Sequence, residues 1–360
     1  MSSWNFGGGG NSYGSGMGNS GSMPDTAVEL PANTDSISSL TFNPRHQDVL
    51  IASTWDNKLM AWQVGAQMGK IQSKAHSQIT NKGPVLCTAV TPEGDVLSGG
   101  ACCTASKWTI GQQQTQQIAK HDKPISCINF CTTQPNLVAT ACWGKKLRLW
   151  DGRTPRPVRE TTLEGKAYSM DSRGSKIVVA CSGRKIQIFD LRNQNRTWQT
   201  KESSLKNQIR CVSIFPNVEG YAAGSICGRV AITNFKERDS KKNFMFKCHR
   251  KKEIDSSNKA KVYAVNAIEF HPKGTFATAG SDGQFVFWDK DSRQRLQKFD
   301  LPNETPISAC AFNKTGNLFA YAVSYDWSKG FQNRHKYQRN EIRIHVVKDS
   351  EIHPQMRRHH

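Results

Sequence analysis

Residues Phe276 to Asp289 read Phe-Ala-Thr-Ala-Gly-Ser-Asp-Gly-Gln-Phe-Val-Phe-Trp-Asp, and weaker copies of this phrase recur along the chain. The phrase predicts a strand, a tight turn and a second strand. Asp282-Gly283 supplies the left-handed backbone that a two-residue hairpin needs. Phe285, Phe287 and Trp288 supply apolar bulk for a buried strand.

Working outward, each copy is preceded by an alternating apolar run. These runs start at Ile37, Val85, Ile125, Ala167, Ile209, Val265 and Ile307, mostly 40 to 48 residues apart. The one longer interval, from 209 to 265, holds an insertion. Copies end on Ala61-Trp62, Lys107-Trp108, Leu149-Trp150-Asp151, Ile188-Phe189-Asp190, Val230-Ala231-Ile232 and Ile342-Arg343-Ile344. This period, with its strand, turn, strand and Trp-Asp ending, resembles the WD-repeat family, whose units are four-stranded propeller blades. The resemblance spans about Asp25 to Val347. It implies an all-β fold, a seven-bladed WD-repeat β-propeller over residues 25–348. In propellers of that family the first strand commonly pairs with the last blade. That accounts for the short extended piece Thr26–Leu30 and removes the sheet edges an open array would expose. The Gly-His start and internal His-Asp signature of the strongest family members are mostly missing, which predicts looser hydrogen bonding between blades.

Outside the repeats, residues 1–24 are a Gly-, Ser- and Asn-rich tail expected to be disordered. Residues 349–360 form a basic C-terminal tail. Two segments interrupt the repeats: 236–261 between blades five and six, and 324–340 in blade seven.

Lys and Arg number 49 against 29 Asp and Glu, a net charge of +20. Such a surplus favours polyanions or acidic protein surfaces as partners. The 11 cysteines fall mostly in apolar strand-like runs, where a free thiol behaves as a small hydrophobe. Their odd count and the absence of a secretory pattern point to a reduced cytosolic or nuclear setting. There is no Cys-x-x-Cys pair, and Cys248-His249 lacks companions at zinc spacing, so neither a metal nor a cofactor is expected. No apolar run approaches the roughly 18 residues of a membrane span. Catalytic signatures fail as well. Gly65 to Lys70 has the wrong spacing for a phosphate loop and is followed by Ile71, and no Gly-x-Ser-x-Gly or His-Glu-x-x-His occurs. A non-enzymatic protein is expected.

Basic residues are concentrated. Lys236 to Lys261 carries 10 Lys or Arg against 4 acids, and Lys329 to His360 carries 8 against 3. Phe244, Phe246, Phe331 and Tyr337 are threaded through them. Two readings stand for these stretches: solvated loops whose charge only deters aggregation, or a surface for RNA, where cations meet phosphates and rings stack on bases. On the second reading Lys242, Arg250, Lys251, Lys252, Arg295 and Lys329 are the contacts.

Ser324-Tyr-Asp-Trp-Ser-Lys-Gly330 belongs to no repeat. Together with Asn243-Phe-Met-Phe-Lys-Cys-His-Arg250, Gly228-Arg-Val-Ala-Ile232 and Gly280 to Arg293, it resembles the RNA-export WD-repeat proteins of the nuclear pore. Phe130, Trp143-Gly144 and Leu147 to Asp151 support the match. The resemblance implies a monomeric propeller within a heteromeric complex, sited at the nuclear envelope and shuttling to the cytoplasm. Such proteins bind the GLEBS motif, a short acidic hairpin of a phenylalanine-glycine nucleoporin, assist mRNA export and have a place at the mitotic spindle. Carried over, the hairpin contacts are Arg229, Phe246, Lys247, Trp288 and Arg293, with Arg295 turned toward acidic or nucleic-acid ligands. Each has a plainer reading: Arg229 as a blade cap, Phe246 and Trp288 as packed structure. The competing functional readings are a checkpoint propeller that captures similar motifs in checkpoint kinases, and a generic WD-repeat scaffold.

Overall fold

Each of the seven alternating runs becomes the innermost strand of a four-stranded antiparallel sheet. These inner strands are Ile37–Phe42, Val85–Val90, Ile125–Phe130, Ala167–Arg173, Ile209–Ile214, Val265–Phe270 and Ile307–Phe312. Each packs against the inner strands on either side, and the seventh against the first, so the sheets close into a seven-bladed propeller around a channel. The computed structural model describes residues 25–67, 70–134, 136–193, 198–252, 260–301, 304–336 and 339–353. The tail at residues 1–24 lies outside them.

Strands are lettered a to d from the channel outward. Blade five continues through Gly220–Ser225, Arg229–Asn234 and Phe244–Lys247, and blade six through Phe276–Gly280, Gln284–Asp289 and Gln294–Asp300. The opening phrase is therefore strands b and c of blade six. Because neighbouring strands are antiparallel, the starts of the inner strands and the b–c turns share one face, called upper here. The a–b and c–d turns lie on the lower face. The basic stretch 236–261 is not one insertion: its middle, Phe244–Lys247, is strand d of blade five, paired with Arg229 to Ile232. Beyond that strand the chain forms a two-stranded hairpin, Arg250–Lys252 with Ala260–Val262.

All seven inner strands carry a register shift against strand b after their first residue. A bulge of this kind re-aims one side chain and breaks the ladder locally. Here it leaves the carbonyl of the first residue for the preceding blade. Ser38 Oγ donates to Val85 O (2.6 Å), Ser126 Oγ to Ala167 O (2.9 Å), Asn266 Nδ2 to Ile307 O (2.9 Å) and Ser308 Oγ to Ile37 O (2.8 Å). Cys87 and Cys211 thiols do the same for Ile125 O and Val265 O, at 3.8 and 3.5 Å. Burial pushes the Cys211 thiol up to about 12, so it stays protonated as a donor. All 11 cysteines are free thiols.

The expected scarcity of the His-Asp signature holds for most blades but not for blade six. His249 Nδ1 meets Asp282 Oδ1 at 2.8 Å, its Nε2 meets Thr278 Oγ1 at 2.9 Å, and Trp288 Nε1 donates to the same hydroxyl at 2.9 Å. One tautomer satisfies both ring nitrogens, the hydroxyl and the indole, with Nδ1–H donating to the carboxylate and the Thr278 hydroxyl donating to Nε2, while Asp282 Oδ2 is buried without a partner among the described residues. Blade three has the first part only. His121 Nε2 and Trp150 Nε1 meet Thr140 Oγ1, but Gly144 stands where blade six has Asp282. His121 Nδ1 is left without a partner. Burial, then the charge of Arg148, lowers this imidazole to about 4.

The ring is closed by the two ends of the chain. Thr26–Val28 pairs antiparallel with Ile342 to Ile344 and becomes strand d of blade seven. A long hairpin of blade one, Lys58–Gln67 with Lys70–Thr80, reaches across this seam. Its Val64 and Ile71 are buried in one cluster with Leu40, Ala320 and Ile344. At the foot of the closing strand His345 lies between two carboxylates, Asp25 (2.7 Å) and Glu351 (2.9 Å), and Tyr321 Oη also donates to Asp25 (2.6 Å). Burial alone would lower the His345 imidazole, but its bonds to Asp25 and Glu351 and their charges outweigh burial and lift it to about 9. A folded-state value above the ordinary 6.5 means the contribution is full below about pH 6.5 and is lost as pH rises through about 9. Denaturant titrations between those limits should therefore show stability falling with pH, by at most about 1.4 kcal/mol per unit from one group. The slope should flatten in His345→Gln; equal slopes in the two proteins would refute the clamp.

Candidate functional site

The bulges decide what faces the upper mouth of the channel. Its wall carries the second residue of every inner strand: Ser38, Leu86, Ser126, Tyr168, Arg210, Asn266 and Ser308. Above them stand residues that follow strand b. Their amides are fixed to the neighbouring chain, Trp55 N to Ser36 O, Trp143 N to Pro124 O and Ile226 N to Gln208 O, each at 3.0 to 3.1 Å. The side chains are therefore held outward, and Trp55, Trp143, Tyr168 and Ile226 keep 38 to 46% of their surface open. Tyr325, Asp326 and Trp327 complete the rim. Tyr325 Oη donates to Gly330 O (2.8 Å), Asp326 accepts from Asn266 Nδ2 (2.9 Å) and from Ser281 Oγ, and the Trp327 ring lies 5.5 Å from that of Tyr325. The result is a cavity of about 690 Å³ ringed by aromatic and aliphatic side chains. An apolar patch of this kind on a folded surface marks a binding face.

Beside it, on the upper rim of blade five, cations collect. Arg229 and Lys247 are direct cross-strand partners, and no carboxylate pairs with either among the described residues. Like charges placed opposite one another destabilise a strand pair. Arg250 adds a third charge, its guanidinium holding Cys227 O (2.9 Å) and Gly228 O (3.3 Å). Burial and then the charge of Arg229 lower its pKa. Lys251 is already engaged, by Glu304 at 2.7 Å. Lys252 comes next in the same strand, its side chain outside the described residues, and Lys329 is exposed on the blade-seven segment.

The remaining basic candidates lie elsewhere. Lys242 and Arg293 line a groove of about 380 Å³ at the lower edge of blades five and six, with Lys290, Phe215, Phe244 and the carboxylates Glu219 and Asp291, the latter paired with Lys290 at 2.7 Å. The Arg293 guanidinium sits 4.7 Å from the Phe244 ring and Lys290 Nζ 5.3 Å from that of Phe215. These are cation–π distances. Lys242 also pairs with Asp239 at 3.0 Å. Arg295 is exposed near the start of strand d of blade six. The sequence-derived set thus divides into an upper group (Arg229, Lys247, Arg250, Lys251, Lys329) and a lower one (Lys242, Arg293, Arg295).

Phe246 and Trp288 correct the expectation that they present a contact surface. Phe246 is 1% exposed and Trp288 4%, with ring centroids 4.6 Å apart in one buried cluster. Strand alternation is the reason: Phe246 pairs with Val230 on the core side, while Lys247 and Arg229 come one residue later and earlier. Conversely, Trp55, Tyr168, Ile226 and Arg210 were not singled out from the sequence. A large apolar residue at a b–c turn, where small polar residues belong, was the available signal for Trp55 and Ile226.

The lower mouth carries charges of both signs. Its cavity of about 680 Å³ is walled by Asp171 and Glu269 and also by Arg173 and Lys314. Burial, then the neighbouring Asp171 charge, raises Glu269 to about 8.

Comparison with known proteins agrees with this architecture. The profile of the WD domain, G-beta repeat family matches residues 112–151 and 247–289. Those stretches hold the partial and the complete histidine networks. The chain is 40% identical over 335 residues, 92% of each protein, to the poly(A)+ RNA export protein of Schizosaccharomyces pombe. It is 38% identical to the mRNA export factor GLE2 of Chaetomium thermophilum, over 89% of this chain and 90% of that one. To the protein RAE1 of Arabidopsis thaliana it is 39% identical, over 92% and 93%. At this identity over nearly the whole length of both chains, the protein belongs to this family of WD-repeat mRNA export proteins.

Proposed function

We propose that this protein is a non-enzymatic adaptor for mRNA export that docks at the nuclear pore by holding an acidic GLEBS hairpin of a phenylalanine-glycine nucleoporin across its upper face. The carrying observation is one of juxtaposition. An apolar crown of Trp55, Trp143, Tyr168 and Ile226 lies on the same face as Arg229 and Lys247, two cations set opposite each other with no carboxylate between them. Such a face is complementary to a segment that carries both apolar and acidic side chains. The names of the relatives favour export over the checkpoint reading. On this reading the protein works at the nuclear envelope and shuttles between nucleus and cytoplasm. A spindle role would use the same face.

The lower groove supports a second contact, with RNA. Cations mounted on rings, as Arg293 is on Phe244, can meet phosphate while leaving apolar surface for a base. The exposed cations Lys242 and Arg295 extend that surface.

A nucleoporin hairpin peptide should bind with Kd below about 1 µM. Arg229→Glu should weaken it by at least about 2 kcal/mol, the level of a hot spot, with an unchanged melting temperature. Undiminished binding to the folded variant would sink the assignment. Phe246→Ala should behave differently, losing about 3–5 kcal/mol of stability because it opens a cavity in the core. A variant as stable as the parent would show that Phe246 is not core. For single-stranded RNA, log K should fall linearly with log salt. Lys242→Ala should reduce that slope by about 0.7, one phosphate contact. A salt-independent affinity would exclude phosphate recognition.

A further inference from the structure

Where blade one runs into blade two, a cavity of about 200 Å³ is walled by Thr80, Asn81, Ser98, Cys102, Ser106 and Gln117, among others. We infer that it is a binding site for one neutral imidazole ring, the side chain of a histidine carried by a partner protein. The cavity shares no residue with the one at the upper mouth, so the inference stands apart from the hairpin reading.

The fold shapes this place for a ring. Asn81 precedes Val85 by the same four residues as His121 precedes Ile125. Each backbone amide donates to the b–c turn of the preceding blade, Asn81 N to Asn57 O (2.7 Å) and His121 N to Cys103 O (2.8 Å). Asn81 therefore stands in blade two where blade three has its imidazole. Val96 pairs with Trp108 as Val138 pairs with Trp150 and Phe276 with Trp288, and the hydroxyl residue comes two positions later in each case. Ser98 thus matches Thr140 and Thr278, the residues that meet His121 and His249. An asparagine is too short to occupy the room of an imidazole, and groups are left over. Asn81 Nδ2 is buried with no partner among the described residues, which costs free energy in the unbound protein. Trp108 Nε1 donates to Gln112 O (2.9 Å), whereas its counterparts donate to the threonine hydroxyl. The Ser98 hydroxyl keeps one long bond, to Ser106 O at 3.5 Å.

The walls define the chemistry of the occupant. A neutral imidazole offers one acceptor nitrogen, for the Asn81 amide, and one N–H, for the Ser98 hydroxyl oxygen. Lys82 is the only charged side chain of the wall among the described residues, and Cys102 the only other titratable one. Lys82 repels imidazolium, and an amine would find no carboxylate. A phosphate or carboxylate would exchange full hydration for one cation and a wall of neutral hydroxyls and amides, which does not repay its desolvation. The cavity opens sideways past Thr80, Lys82 and Gln117, all exposed, so a ring mounted on a polypeptide can reach it. One ring alone makes too few contacts for tight binding, and the site serves as one pocket of a larger protein interface.

The experiment titrates the full chain at pH 8 with N-acetylhistidine amide, free imidazole and N-acetylphenylalanine amide, read by calorimetry. The first two should bind one to one with Kd of about 1 mM, a level suited to so small a ligand, and the third should not bind. The affinity of the histidine amide should fall about tenfold per pH unit below about pH 6.5, where its ring takes up a proton. Asn81→His, which puts the protein's own ring into the cavity, should abolish binding and leave the affinity for a nucleoporin hairpin peptide unchanged. Ser98→Ala should weaken histidine-amide binding about fivefold, the loss of one hydrogen bond. If neither imidazole compound binds, the cavity holds water alone and the inference is overturned. If imidazole binds and the histidine amide does not, the site takes a free heterocycle and the partner's histidine is overturned. Binding that survives both Asn81→His and Ser98→Ala would put the ring elsewhere and overturn the site.

Discussion

Six of the seven blades hand the carbonyl of their first inner-strand residue to the blade before them, and the rest of the molecule depends on that transfer. Backbone ladders run within a blade and cannot join one blade to the next. The bulges free these six carbonyls, and side chains such as Ser38, Asn266 and Ser308 take them up. At the fourth junction the roles reverse. Ser169 Oγ accepts from Val212 N at 3.1 Å, and Asp171 accepts from Ile214 N at 2.6 Å. Buried carbonyls and amides left unmet would each cost a desolvation penalty, so the residues beside the bulges are constrained by folding. Where a small polar residue does this work, the mouth is lined by structure. Where Leu86, Tyr168 or Arg210 occupies the place, the mouth is lined by side chains available to a ligand.

This division explains which parts of the sequence were legible. Repeat starts at Ile37, Val85 and the five later positions could be read because strand alternation and period leave a local signature, and each is the first residue of an inner strand. The closing role of the piece Thr26–Leu30 was legible through the resemblance to WD-repeat propellers, and its strand, Thr26–Val28, pairs with the last blade. Contacts between distant residues were not. His249 and Asp282 are 33 residues apart, and in the sequence Cys248-His249 looked only like a failed zinc site. Phe246 and Trp288 lie in a stretch rich in charge, but a strand's two faces alternate, and charge on one says nothing against burial on the other. The direction of a side chain released by a bulge, such as Arg210, cannot be read from spacing at all.

The net charge of +20 likewise gains meaning only from placement. Propeller topology puts strand starts and b–c turns on one face and c–d turns on the other. Arg229 and Lys247 therefore reach the upper rim, while Lys242 and Arg293, neighbours in sequence to the same elements, reach the lower groove. On the function proposed above, a protein acid and a phosphate chain would not compete for the same cations.

Strand d of blade five ties the core to the ligand face. Val230 and Phe246 form one cross-strand pair, and Arg229 and Lys247 form the next. Phe246 is locked against Trp288, whose indole is fixed through Thr278 to His249 and Asp282. The complete histidine network therefore lies in the blade adjoining these two cations, where the strand pair carries an electrostatic cost. A partner that brings carboxylates removes that cost, whereas the free protein must withstand it through packing. On the function proposed above, Phe246 and Trp288 would serve binding through packing, without touching a ligand. They hold two repelling charges at a separation that an acidic segment can bridge.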